Sequence, residues 1–171
     1  LPAVTDARAA LEDDAPETWP GGNLVLRADK GDGEAVDAAL EGAAHVIDLG
    51  SLNQRIHGTP VEPRAAIGDF DEASGRFTLY APSQGVHRHQ MAFMQVFGVE
   101  KDSVRIVTGD VGGGFGVRTP TYPEYALVAW GAKRLGRPVK WTSSRQEMFL
   151  SDFQARDVYV QGRCGLDGDG R

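Results

Sequence analysis

The sequence predicts an α+β domain, a two-layer arrangement in which a mixed sheet carries its helices on one face. Two observations predict it. Short β-like runs come in pairs separated by single helical stretches, and those stretches carry their own stop signals, a glycine with a proline sometimes just beyond. Residues 1–22 are acidic and carry Pro2, Pro16 and Pro20, an extended lead-in ahead of a domain over 23–171. Asn23-Leu24-Val25-Leu26-Arg27 suits a short strand, and Asp32 is placed to cap a helix through Ala35, Val36, Ala39 and Leu40. His45 to His57 is partly alternating and reads as one strand. Residues 65–70 and 76–80 flank Asp71-Glu72-Ala73-Ser74-Gly75, a hairpin loop. Met91, Met94, Gln95 and Phe97 predict a helix over 86–98 closed by Gly98, and a strand follows at 103–108. Pro123 opens a helix from Glu124 to Leu135, ended by Gly136 with Pro138 beyond. Val139-Lys140-Trp141 is a strand, Ser144 and Glu147 have capping-box spacing at the start of another helix, and residues 158–162 return as a strand.

Composition bounds the function. A chain of 171 residues is long enough for a core, and its 41% hydrophobic and 25% charged residues are those of an ordinary globular domain. A net charge of −6 argues against nucleic acid or an anionic membrane as partner. Cys164 is the only cysteine, so an internal disulfide and a cysteine-ligated zinc or iron–sulfur centre within this chain are excluded. No run approaches the ~18 apolar residues of a membrane span, and no basic-plus-apolar leader opens the chain. The expected location is cytoplasmic, with the periplasm left open. The start at Leu1 without methionine and the turn-like end Asp167-Gly168-Asp169-Gly170-Arg171 lead us to expect a piece of a longer polypeptide.

The densest chemical signal is Gly112-Gly113-Gly114-Phe115-Gly116, between the strand at 103–108 and the helix after Pro123. A glycine triplet lets a ligand approach the main chain, and a strand-to-helix turn can aim several N–H groups at an anion or oxo group. The plain alternative is a connector that solves a steric problem. No Gly-Lys-Ser/Thr follows, so the turn is not a P-loop. His87 and His89 are two residues apart, which puts them on opposite faces of a strand and off one side of a helix. Met91, Met94, Phe93 and Phe97 read as helix packing, and Asp152, Arg156 and Asp157 as ion-pairing residues.

Gly112 to Arg118, Tyr122-Pro123-Glu124, residues 135–141, Ser144 to Glu147 and Ala155-Arg156-Asp157 together resemble the molybdenum hydroxylases, the large-subunit family of xanthine dehydrogenase, aldehyde oxidase and carbon monoxide dehydrogenase. Residues 61–65 and 80–85 fall in the family's order, so the resemblance runs from about residue 20 onward. It implies a molybdenum centre held by molybdopterin, the cytosine dinucleotide being one form, with iron–sulfur and FAD centres on other domains or subunits. It also implies the carboxyl-terminal remainder of the large subunit and a small-molecule substrate as partners. In the family the phenylalanine after the glycines approaches the metal with its main-chain N–H, which maps onto Phe115, while Gly113, Gly114 and Gly116 have no Cβ to block that approach. The family's glutamine beside an apical oxo ligand maps onto Gln84, a neutral donor that is not a metal ligand. No side chain here is expected to ligate the metal directly.

Departures narrow the expectation. Xanthine-oxidising members have lysine and then glutamate after the turn, where this chain has Arg118 and Thr119. Thr119 is therefore the substrate-pocket candidate, and its lack of a carboxylate argues against purines and leaves aldehydes, aromatic heterocycles and other small substrates open. The carbon monoxide-oxidising cysteine loop is absent from this stretch, and Cys164 reads as a strand cysteine. The family's base is a glutamate in a Gly-Glu context far downstream, a context that Glu62, Glu124 and Glu147 lack, so no catalytic residue is assigned in this chain. The implied activity is water-dependent hydroxylation with electrons passed to iron–sulfur and flavin centres, and the isolated piece is expected to be inactive. The alternative is a non-catalytic scaffold or assembly module that retains the fold.

Overall fold

A computed structural model describes residues 3–171. In chain order the elements are a 3-10 turn at Ala9–Leu11, α1 (Gly33–Glu41), β1 (His45–Asn53), β2 (Ile56–His57), β3 (Ala65–Asp71), β4 (Arg76–Tyr80), α2 (Val86–Phe97), a 3-10 turn at Lys101–Ser103, β5 (Val104–Val107), α3 (Pro123–Leu135), β6 (Val139–Thr142), α4 (Arg145–Ser151), β7 (Gln154–Ala155) and β8 (Val158–Leu166). They form two compact units, one spanning Ile56–Ala155 and the other combining the residues up to Arg55 with Arg156–Arg171.

The unit over Ile56–Ala155 is the expected α+β arrangement. Its sheet runs in the order β5-β4-β3-β6, with β3 antiparallel to β4 and β6, and β4 parallel to β5. The mixture follows from the connections: a tight turn closes the β3–β4 hairpin, whereas the helical crossover through α2 lets β5 run parallel to β4. Alternation puts Ala66, Phe77 and Leu79 on the buried face, against Phe93 of α2 and Tyr125, Val128 and Ala129 of α3. Phe77 stacks on Phe97 at a centroid distance of 4.3 Å. Gly68 is what lets α3 lie so close to β3, since a Cβ there would sit 2.5 Å from the Ala129 nitrogen. Gly98 and Gly136 close α2 and α3 in the left-handed conformation, as their sequence positions predict. The capping box at α4 is complete, with the Ser144 hydroxyl accepting from Glu147 N at 3.1 Å and the Glu147 carboxylate accepting from Ser144 N at 2.6 Å. A short β2–β7 ribbon completes this unit.

The other unit holds α1, capped by Asp32 whose side chain accepts from Ala35 N at 3.0 Å, and a nine-residue antiparallel ribbon of β1 with β8. Cys164 lies exposed in β8.

Three expectations are corrected. Residues 23–27 form no strand, and Leu24, Val25 and Leu26 are 59%, 81% and 80% exposed. An apolar run becomes a strand only where a neighbour accepts its backbone bonds, and no strand pairs with it among the described residues. His45 to His57 is not one strand, because its pairing stops at Asn53 and resumes at Ile56. Opposite that gap the segment between β7 and β8 is bent by Arg156 and Asp157, both left-handed at φ 76° and 71°. Asp157 is fastened there by its amide, which donates to Asn53 O at 2.9 Å, and by an ion pair with Arg55 at 2.5 Å. The third correction is Met91, expected to pack on the helix face but 61% exposed, and the short strand β7 is a pairing that local sequence did not signal.

Candidate cofactor-facing site

The parallel pairing of β4 and β5 delivers the two candidate segments side by side. Both strands end at the same end of the sheet, one leading to Gln84 and the other to the glycine turn. Ligand sites in α/β sheets gather outside the carboxyl ends of parallel strands for this reason. The exits are tied together, since Ala81 N donates to Val107 O at 3.1 Å and the Thr108 hydroxyl donates to Ala81 O at 2.9 Å.

Gln84 and the turn meet directly. The Gln84 Oε1 accepts from Gly116 N at 2.9 Å and from Arg118 N at 3.1 Å, and Gln84 N donates to Arg118 O at 3.2 Å. Two N–H groups can be met only by an oxygen, so the orientation of the carboxamide is forced and its Nε2 group is left as an uncommitted donor. Gly114 packs against this side chain so closely that a Cβ there would lie 2.6 Å from Gln84 Cδ and 2.9 Å from Oε1. Gly114 is glycine for space and not for conformation. The left-handed positions are Gly113, Phe115 and Gly116, at φ 105°, 49° and 91°. Phe115 is a bulky residue in a region that ordinarily costs it about 1–2 kcal/mol, a strain that collects at functional turns. Among the described residues the amides of Gly113, Gly114 and Phe115 find no acceptor. The Phe115 side chain is 71% exposed.

Thr119 closes the turn, its amide donating to Gly116 O at 3.1 Å. Arg118 points inward and is fully buried, with Nη2 donating to Glu62 O while Nε and Nη1 have no partner among the described residues. Behind it the Tyr122 hydroxyl donates to Val117 O at 2.8 Å and accepts from Phe153 N at 3.2 Å. Burial, opposed by the charges of Arg118 and Arg64, pushes the Tyr125 phenol up to about 12, so it stays protonated at neutral pH. A second buried arginine, Arg64, donates to Glu124 at 3.0 Å and lies 2.5 Å from Asp152, a distance that makes an ion pair although the angle is poor for a hydrogen bond. Burial also lowers the pKa of His89, whose Nδ1 lies 2.7 Å from the Thr121 hydroxyl. Among the described residues no three His, Cys, Asp or Glu side chains are grouped to hold a metal ion.

Sequence reasoning named Gln84 and the turn. It read Arg118 as part of the family turn and as a substitution, and Glu62 as part of a family segment and a rejected base, without joining the two. No local signal could have shown that contact, because it joins residues 56 positions apart.

The donor set is uncharged, rich in main-chain N–H, and free of side-chain metal ligands. It suits a cofactor that brings its own ligands to its metal and asks the protein for hydrogen bonds. A family model described as the molybdopterin cofactor-binding domain matches residues 17–171. The chain is 32% identical to the carbon monoxide dehydrogenase large chain of Hydrogenophaga pseudoflava, over 100% of its own length and 23% of the relative's. It is 33% identical to the gamma subunit of the 6-hydroxypseudooxynicotine dehydrogenase complex of Paenarthrobacter nicotinovorans, over 100% and 21% of the two lengths. Its structure superposes on quinoline 2-oxidoreductase from Pseudomonas putida 86 with a TM-score of 0.84 and 29% identity, covering 100% of this chain and 22% of that one. Fold and family model thus define the class, a molybdopterin cofactor-binding domain. The chain belongs to the molybdenum hydroxylase large-subunit family, in its molybdopterin cofactor-binding domain. It spans less than a quarter of the length of these relatives.

Proposed function

We propose that this chain forms one wall of the active site of a molybdenum-dependent hydroxylase that oxidises an aldehyde or a heterocycle. Water is the source of the added oxygen, and the electrons pass to iron–sulfur and flavin centres on other domains or subunits. The observation that carries the proposal is the Gln84 carboxamide, held through its oxygen by Gly116 and Arg118 so that its amino group is free beside the free amides of the turn.

When bound, the cofactor supplies the two-electron redox centre. The residues of this chain orient it: Gln84 Nε2 and the Phe115 amide offer neutral donors, while Gly114 keeps the approach clear of side chains. Neutral donors held in place by the fold stabilise an acceptor without adding charge, and need no reorganisation as the reaction proceeds. Thr119 lies at the end of the turn, where a hydroxyl in place of a carboxylate removes the group that would contact a purine. The base is supplied by the remainder of the large subunit.

Full-length protein produced in a molybdenum-replete host that matures this cofactor tests the reading. Changing Gln84 to Ala should leave molybdenum in place and lower turnover about 10- to 100-fold, the usual effect of a residue that orients a metal centre without ligating it. Unchanged turnover in that variant would remove Gln84 from the site. Intact fold without molybdenum in the wild-type protein would favour the scaffold reading.

A further inference from the structure

We infer that Glu62 is a positioning residue that clamps both ends of the glycine turn and so fixes the Phe115 amide. The inference rests on the reading of the turn as cofactor-facing. At the entry of the turn, the Glu62 carboxylate accepts from Gly112 N at 2.9 Å and the Glu62 amide donates to Gly112 O at 3.2 Å. At its exit, Glu62 O accepts from the buried guanidinium of Arg118. One residue therefore reaches both flanks of the segment that contains the three left-handed residues Gly113, Phe115 and Gly116. The packing is equally close, since a Cβ on Gly112 would lie 2.5 Å from that of Glu62.

The clamp is itself anchored. Arg145, at the start of α4, donates to Pro60 O at 2.6 Å and to Val61 O, so the segment bearing Glu62 is fastened to a helix. Pro60 in turn lies 3.3 Å from where a Gly113 Cβ would be. A left-handed phenylalanine persists only where its surroundings over-determine it. Here the over-determination comes from Glu62 on one side of the turn and from Gln84 on the other, whose oxygen holds Gly116 and Arg118. A carboxylate on a main-chain N–H is among the stronger hydrogen bonds, and its reach is set by the length of the side chain.

Two conservative changes in the full-length protein separate reach from charge. Glu62→Gln keeps an oxygen at the same distance and removes the charge, whereas Glu62→Asp keeps the charge and withdraws it by one methylene. Hydrogen–deuterium exchange of the segment 109–119 reads the clamp directly, with the segment 123–135 of α3 as the control for folding. Glu62→Asp should speed exchange in 109–119 about tenfold and leave 123–135 unchanged. In molybdenum-loaded protein it should lower kcat about 10- to 100-fold with little change in KM, and Glu62→Gln, which keeps the reach but loses the charge, should fall between wild type and Glu62→Asp in both readouts. Unaltered exchange in Glu62→Asp would overturn the clamp, and faster exchange with normal kcat would overturn its role in positioning. Exchange is measured with or without metal. A wild-type protein devoid of molybdenum would therefore sink the hydroxylase reading while the exchange data still judged the clamp.

Discussion

Gly114 shows how a single residue ties the turn to its neighbour. Valine there would place a Cβ 2.6 Å from Gln84 Cδ, displacing the carboxamide that orients the turn and occupying the approach to the free amides. Full-length Gly114→Val should therefore be soluble and lose both turnover and molybdenum. Gln84→Ala should keep the metal and lose turnover, and Phe115→Leu should do least, because its ring is 71% exposed while its amide is untouched. Metal content and kcat measured on the three variants give this order or refute it. The sequence made the glycines visible but not the reason for each: the space that Gly114 provides depends on a side chain 30 positions earlier, which no local pattern records. His89 offers an independent residue-scale test. Burial lowers its folded pKa below the ordinary 6.5, so the unfolded chain takes up a proton that the folded chain refuses. Its contribution to stability is complete above pH 6.5 and is lost as pH falls through the depressed value. The exposed carboxylates of Asp71 and Glu147, lowered by hydrogen bonds from Ser74 and Ser144, act in a more acidic range below their ordinary 3.8 and 4.5. The urea midpoint should thus fall as pH drops below 6.5, and that slope should flatten in His89→Gln. An unchanged slope would mean that another group is responsible.

Among the elements, α3 on β3 is the contact that builds the sheet-and-helix core. Gly68 allows it, and alanine there would meet the α3 backbone at 2.5 Å from both Ala129 N and Val128 C. Backbone cannot swing aside as a side chain can, so Gly68→Ala should destabilise the fold by about 1–3 kcal/mol, read as a lowered urea midpoint. A midpoint at the wild-type value would show that α3 has room to shift. Elements with complete local signals were legible in the sequence: α2 and α3 with their closing glycines, α4 with its capping box, and the β3–β4 hairpin with its loop. Elements defined by distant pairing were not. The break between β1 and β2 is set by the left-handed pair Arg156 and Asp157 about a hundred residues away, and the run at 23–27 failed for want of a partner strand.

For the molecule as a whole, the proposed reading gives this chain a cofactor-facing turn with Gln84 and leaves the base to the remainder of the large subunit. Catalysis needs the base, the redox centre and a positioned substrate together. The 171-residue chain by itself should accordingly show no oxidation of aldehydes or heterocycles with an artificial electron acceptor, and measurable turnover would show that it is complete without the rest. The central claim is that the glycine turn and Gln84 face a molybdenum cofactor, and the most direct measurement is the metal content of the full-length protein purified from a host that matures the cofactor. The account predicts molybdenum approaching one atom per large subunit in the wild type and its loss in Gly114→Val. Stoichiometric zinc or iron held by these residues with no molybdenum, or full molybdenum in the valine variant, would contradict it.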